Sequence, residues 1–429
     1  MKVFLDYGEG KLAVDLGDAR ADLIEPKHQP GLADERSAVL AALDAPIGAP
    51  ALREWPKPGG RIAIAFTDIT RATPNDRLIP WLLEYLHRHG VGRGQVLLVN
   101  QLGTHRPNTR EELRRILTRE VVENYEVINH EPENPLALKQ FGTTQSGAPA
   151  LVNRRFAEAD VRIVTGFIEP HLFAGFSGGV KGIVPGLGGL QTVMHNHGFR
   201  NLSDPSATYG ITDGNPLWEE LREIALRVGP TFLLNVALNN ERKITGVFAG
   251  DIVQAHRVGC EFVRDSAMQA VEAPYDVVIT TNSGYPLDQN LYQSVKGMSA
   301  AARIVKDGGT IILAAECREG LPTGSACEKL LRSAPSLAEL LEQLARAPEP
   351  LPDQWQVQVQ ANIQRRAHVL LYSSMPHEVV RAAHLEPCHD IARAVAELVS
   401  GKNGSVRIAV LPQGPLTIPY LLRAASAQR

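Results

Sequence analysis

Short apolar runs alternating with amphipathic helical stretches constrain this chain more than any other feature. Residues 61–66, 96–100, 161–165 and 231–238 read as buried strands. Between them lie helical patterns at 76–89, near 216–228, and after Thr109-Arg-Glu-Glu112, which has the spacing of a capping box. Strands alternating with helices predict a mainly parallel α/β sheet. The pattern then repeats. Residues 276–280 are strand-like, 289–305 helical, Gly308-Gly309 a turn and 310–315 a strand, which is a βαβ unit. Ser336-Leu-Ala-Glu339 starts another helix, 348–352 is a loop, and 368–372 and 406–411 complete the strands. The opening residues suggest a hairpin, with Gly8-Glu9-Gly10 at the turn. A chain of 429 residues is longer than one core usually serves. The expectation is two α/β domains: residues 1–270, rejoined by 412–429, and residues 275–411, with the active site in the cleft between them.

Composition narrows the class. Hydrophobic residues make up 44 % and charged residues 21 %, with a formal net charge of −3, so neither nucleic acid nor an anionic membrane is an expected partner. No apolar run approaches the length of a membrane span. The opening Met-Lys-Val-Phe-Leu-Asp-Tyr lacks a signal-peptide core, and a cytoplasmic location is expected. Cys260, Cys317, Cys327 and Cys388 show no Cys-x-x-Cys spacing, which argues against a disulfide framework or a cysteine metal site. There is no phosphate-binding Gly-x-x-x-x-Gly-Lys-Ser/Thr loop, and Gly186-x-Gly188 is not a full dinucleotide fingerprint.

The chemistry concentrates in His171-Leu-Phe-Ala-Gly-Phe-Ser-Gly178-Gly179-Val-Lys181, which continues through Gly186 to His195-Asn-His197. Histidine moves protons near neutral pH or binds metal. Glycine lets backbone amides approach a ligand closely, and lysine neutralises an anion or attacks a carbonyl-like carbon. Asp68-Ile-Thr-Arg71 and Gly103-Thr-His105-Arg106 each follow a strand, where open α/β sheets bind ligands. Any one of these residues alone reads equally well as a turn or cap. On a helix, His195 and His197 point about 200° apart, so only one is expected to ligate a metal. In the helix after Asp288, Tyr292 and Lys296 lie one turn apart with Gln293 farther round, either a ligand-facing edge or a solvated flank.

In this order the motifs resemble the nickel-dependent lactate racemase family. The resemblance runs from Asp6-Tyr-Gly-Glu-Gly-Lys11 through Asp68-Ile-Thr-Arg71, Gly103-Thr-His-Arg106 and Glu169-Pro-His171-x-Phe-x-Gly-x-Ser-Gly-Gly-x-Lys181. It continues through Asn196-His197, Gly284-Tyr-Pro-Leu-Asp288 and Leu291-Tyr-Gln-Ser-Val-Lys296-Gly to Asp353-Gln-Trp355. Ala72 departs from the proline associated with that position. The resemblance implies a racemase or epimerase of 2-hydroxyacids using nickel in a nickel-pincer nucleotide. It implies His197 as the nickel ligand, Lys181 as the lysine that can join the cofactor covalently, and His105 and His171 as the acid/base pair. Asp68, Arg71, Gly178, Gly179, Tyr292, Gln293 and Lys296 match cofactor-contacting positions. Arg71, Gln293, Lys296 and Trp355 match substrate-contacting ones. A small 2-hydroxyacid and transient contact with cofactor-synthesis proteins are the implied partners.

The residues suit that chemistry. Removing hydride from a 2-hydroxyacid gives a planar 2-ketoacid, and returning it to the other face inverts the centre. That route needs a base on each face and a cation for the carboxylate. The cofactor accepts the hydride. Two other classes stay open at this stage: a metal-dependent hydrolase built on His105, His171 and His197, and a non-catalytic ligand- or cofactor-binding protein.

Overall fold

The structure is a computed structural model and describes residues 1–321, 324–400 and 406–422. Two six-stranded sheets organise it. In the first, Ile62–Thr67 pairs in parallel with Val96–Gln101 on one side and Val161–Phe167 on the other. Glu126–Asn129 extends one edge and Phe232–Leu238 the other, both parallel, and Ile244–Asp251 closes the second edge antiparallel. Apolar cores cover both faces. Ile64, Phe66, Leu82 and Leu98 lie in one, Ala63, Val164, Leu187 and Leu233 in the other. Burial on both faces explains why these strands read as nearly continuous apolar runs.

The second sheet is parallel throughout. Tyr275–Thr281 pairs with Val305–Ala314 and with Ile408–Leu411, and His368–Tyr372 and Glu386–Pro387 extend one side. Its far edge is Ala21–Leu23, which pairs with Ile408–Leu411. The N-terminal hairpin of Lys2–Tyr7 and Gly10–Asp15 packs on the same sheet, with Val3, Leu5 and Val14 in one core with Val277, Ile279 and Val410. The opening residues, grouped with the first domain in the sequence reading, therefore join the second sheet. A hairpin pattern gives no information about which sheet it will cover. At the other end, Ile418–Leu421 pairs with Met268–Val271, and Ile418 enters a core with Phe176 and Leu217 of the first unit. Residues 423–429 of the expected return lie outside the described residues.

One helix is shorter than its sequence pattern. The stretch read as helical over 289–305 is a helix only over Leu291–Ala301. Val305 already pairs with Tyr275, and the register then skips to Val277 opposite Thr310. The apolar stripe ran on through Ala302 and Val305 because a buried strand start and a buried helix face present the same residue type. Among the described residues, no helix is long and apolar enough to cross a membrane.

Candidate active site

Each sheet reverses its winding direction beside its founding strand, and such switch points open a crevice at the carboxyl ends of the strands. In the first sheet the crevice lies between Ile62–Thr67 and Val161–Phe167, in the second between Tyr275–Thr281 and Ile408–Leu411. Both open onto one cavity of about 550 Å³. Ile69–Ala72 and Phe167–Pro170 line it from the first sheet, and Ser283, Tyr285–Leu287, Gln413 and Leu416 from the second. Arg71 and Lys296 both border this cavity. His105, His171, Lys181 and His197 are not on its wall, which reaches instead the neighbours of Asp68 and His171, Ile69 and Pro170.

Asp68 sits at the end of its strand, 2 % exposed. Its Oδ2 accepts the Nδ1–H of His105 at 2.7 Å, and its Oδ1 accepts the Thr70 hydroxyl at 2.7 Å and backbone N–H at 3.2 Å. Burial is the largest single influence and works against its charge, but the hydrogen bond and charge of His105, the Arg71 charge and the Thr70 hydrogen bond together hold the carboxyl below its usual range. The proton on His105 is thereby fixed at Nδ1, which leaves Nε2 with a free lone pair. Asp68 thus orients His105, beyond the cofactor contact expected of it.

His171 stands on a two-residue strand paired with Gly175–Phe176, a tight hairpin at the end of Val161–Phe167. Its Nδ1 accepts the Ala174 N–H at 3.2 Å, so the neutral ring carries its proton on Nε2. Burial, then Lys181, Lys296 and Arg71, hold its pKa well below the ordinary value. With both rings neutral, the pair offers one lone pair, on His105, and one N–H, on His171.

The glycines after His171 form a cradle. Gly178 and Gly179 have φ of 78° and 57°, the left-handed region that favours glycine. A Cβ on Gly179 would lie 2.5 Å from the His256 ring. Asn235 Oδ1 accepts the Gly179 N–H at 2.8 Å, and His256, stacked on Trp218, donates from Nε2 to the Ser177 carbonyl at 2.8 Å. The short turn Gly179–Gly182 that follows presents Lys181. Burial, then Arg71 and Lys296, bring the Lys181 ammonium down to about 7, so much of it is neutral amine near neutral pH. A neutral amine is the nucleophilic form.

His197 caps the helix Leu190–Asn196. Its Nδ1 donates to the Val193 carbonyl at 3.1 Å, which leaves Nε2 as the ligating nitrogen. Burial, then Lys181, lower its pKa to about 3, so the ring is in the neutral, ligating form at physiological pH. Phe173 and Trp355 meet the ring edge-on at 5.1 and 5.3 Å. His195 faces Glu220 instead, 3.3 Å away, so the two histidines of the pair serve different surroundings. Among the described residues, no three His, Cys, Asp or Glu side chains converge as a metal-ligand group. That geometry does not favour a hydrolase metal shared by His105, His171 and His197.

The second unit contributes Tyr292, Gln293 and Lys296 on Leu291–Ala301 and Trp355 on Gln354–Gln364. The Trp355 indole donates to the Tyr292 hydroxyl at 2.8 Å while its ring touches His197, so this pair spans the two units. Tyr209 donates its hydroxyl to the Lys296 carbonyl at 3.1 Å. Burial, then Arg71, lower the Lys296 ammonium to about 8. Gln293 is half-buried, and no partner holds its side chain among the described residues. In the sequence, Glu169 and Phe173 are only letters of the family motif, with no role. His256, expected to be a surface or satisfied structural histidine, is buried and hydrogen-bonded, and Asn235 escaped the sequence reading. The Glu-Pro-His spacing was the one signal that pointed to Glu169.

The residues fit a nickel-pincer nucleotide. A histidine nitrogen is free and neutral, an amine of lowered pKa is nearby, and two glycines leave room where any side chain would clash. The cations Lys296 and Arg71, joined by Lys181 where it is protonated, make the site one for anions.

Comparison with known proteins agrees with the architecture. Residues 7–210 match the lactate racemase N-terminal domain and residues 270–418 the lactate racemase C-terminal domain. Lactate racemase of Thermoanaerobacterium thermosaccharolyticum is 35% identical over 417 residues, 96% of this chain and 97% of that protein. Lactate racemase of Lactiplantibacillus plantarum is 35% identical over 384 residues, 89% of this chain and 90% of that protein. The structure of the Thermoanaerobacterium lactate racemase apoprotein superposes with a TM-score of 0.92 at 34% identity, covering 98% of this chain and 100% of that one. A Thermotoga maritima protein shares the fold at a TM-score of 0.69 and 18% identity, covering 90% of this chain and 98% of its own. Two domain matches in order, and identity sustained over nearly the whole length, place the chain in the lactate racemase family.

Proposed function

We propose that this protein racemises or epimerises a 2-hydroxyacid by reversible hydride transfer through a 2-ketoacid, using a nickel-pincer nucleotide. The observation that carries the reading is the pairing of two histidines, oriented from different loops, with the cations Arg71 and Lys296. When bound, the cofactor supplies the hydride acceptor that no side chain here can be. His197 holds nickel through Nε2. Lys181 binds the cofactor, covalently or by charge, and the backbone of Gly178 and Gly179 cradles it. Arg71 and Lys296 take the substrate carboxylate, with Gln293 and Trp355 beside it and Tyr292 braced against Trp355. His105 takes the hydroxyl proton at Nε2 on one face, and His171 serves the opposite face. Lactate is the first candidate substrate. Cavities of roughly 300–1,000 Å³ hold ligands much larger than lactate, so longer 2-hydroxyacids belong in the same screen.

The division of labour is testable. His105→Ala and His171→Ala should each lower full racemisation by about 10²–10⁴-fold, the usual general acid–base contribution. Rapid mixing with each pure enantiomer should show one variant still forming bound ketoacid from one enantiomer, and the other variant from the opposite one. Loss of the same enantiomer's reaction in both variants would contradict the two-face assignment.

A further inference from the structure

Resting on that reading, we infer that Glu169 is the built-in counter-ion of the Arg71–Lys296 carboxylate site and sets how tightly the site holds an acid. Glu169 lies between Val161–Phe167 and Pro170–His171, on the cavity wall with Arg71 and Lys296. Its backbone is clamped on both sides by Ser177. The Ser177 hydroxyl oxygen accepts the Glu169 N–H at 3.0 Å, and the Ser177 N–H donates to the Glu169 carbonyl at 2.9 Å. The same hydroxyl donates to the Phe167 carbonyl at 3.0 Å. The side chain thus leaves from a fixed backbone, half-buried on the wall.

No donor lies within hydrogen-bond distance of its carboxylate among the described residues. The charges that stabilise it are Lys296 and Arg71, each from a different element. Burial outweighs both and raises its carboxyl above the ordinary range. Tyr209, buried and tied to the Lys296 backbone, feels the Glu169 charge from a third direction. His171 and Lys181 lie behind, coupled to the same two cations. Asp6, Tyr285, Glu25, Lys27, His28 and Arg242 also line the cavity; the last four are exposed, and so is Arg71, so water screens Arg71 more than the half-buried Lys296.

Two carboxylates then compete for one pair of cations. A substrate carboxylate arriving beside Arg71 and Lys296 removes the stabilisation that keeps Glu169 ionised. Like charges at one site cannot both persist cheaply, so Glu169 takes up a proton as the acid binds. The sign follows from linkage. Affinity for the acid is highest where Glu169 is already protonated, and falls as pH rises through its value in the empty site, by at most about tenfold per pH unit. Lys296 also loses charge as pH rises and weakens binding on its own, so the diagnostic quantity is the difference between wild type and a variant lacking the Glu169 charge.

The experiment is calorimetry of lactate, malate and gluconate with the cofactor-loaded protein, in buffers of different ionisation enthalpy. Wild type is compared with Glu169→Gln and with Glu169→Asp, which retains the charge. At pH 8 the wild type should take up more protons per acid bound than Glu169→Gln. Glu169→Gln should bind the acid several-fold more tightly, with a flatter pH dependence, and Glu169→Asp should keep the proton uptake. Equal proton uptake in wild type and Glu169→Gln, weaker binding by a folded Glu169→Gln, or no binding of any of the three acids would overturn the proposal. The readout is binding, not turnover. Proton-linked binding without racemisation would sink the racemase reading alone, and racemisation without proton linkage would sink the Glu169 assignment alone.

Discussion

At the scale of single residues, the site depends on partners that hold each reacting atom. Asp68 fixes the His105 ring, so Asp68→Asn should lower kcat per loaded nickel by about 10²–10⁴-fold, the cost seen when a buried aspartate no longer sets a histidine tautomer. Nickel content and kcat measured on one preparation check this, and a fall under about threefold would show that His105 orients itself. Gly179→Ala should act differently. Its φ of 57° and the 2.5 Å approach of the new Cβ to His256 leave no room for a methyl group. The loop carrying Lys181 must shift, and nickel retained after reconstitution and gel filtration should drop sharply while the fold, followed by circular dichroism, persists. Normal loading in Gly179→Ala would mean the cradle is not part of the site. Residue type and spacing singled out His105, His171, Lys181 and His197 in the sequence, while the roles proposed for them come from the family resemblance. Asn235 carried no such signal, because it matters only through the Gly179 amide that folding brings to it, and Glu169 was visible only as part of the Glu-Pro-His motif.

At the scale of elements, legibility followed local signals. Thr109 and Glu112 form the reciprocal cap that their spacing predicted, each bonded to the other's backbone N–H. The helix bearing Tyr292, Gln293 and Lys296 had no such warning of its end, so its apolar stripe was followed four residues too far, to 305 rather than Ala301. Its start is well defined. Asn290, 8 % exposed, accepts the Gln293 N–H at 3.1 Å and donates to Glu319 at 3.1 Å. Asn290→Ala should cost about 1 kcal/mol in urea unfolding, the usual loss of an N-cap. Fraying of the first turn should also raise KM more than it lowers kcat. Unchanged stability would mean that another group caps this helix.

At the scale of the whole molecule, sheet winding places the chemistry. Both switch points open onto one cavity, so residues more than 200 positions apart in sequence, Arg71 and Lys296, line the same wall. Trp355 links the units directly by touching His197 from the other side. Two parallel α/β units were legible because strands buried on both faces announce themselves as apolar runs. The assignment of the opening hairpin and Ala21–Leu23 to the second sheet was not, since strand order is a long-range property that no local pattern encodes. The most direct test of the account is to load the protein with the nickel-pincer nucleotide and incubate it with enantiopure 2-hydroxyacids, following optical purity by chiral chromatography. His197→Ala runs in parallel. The account predicts that the wild type drives at least one acid toward the opposite configuration at C2, while His197→Ala neither retains nickel nor turns over. Full nickel loading with every 2-hydroxyacid left optically pure, or undiminished activity in His197→Ala, would contradict it.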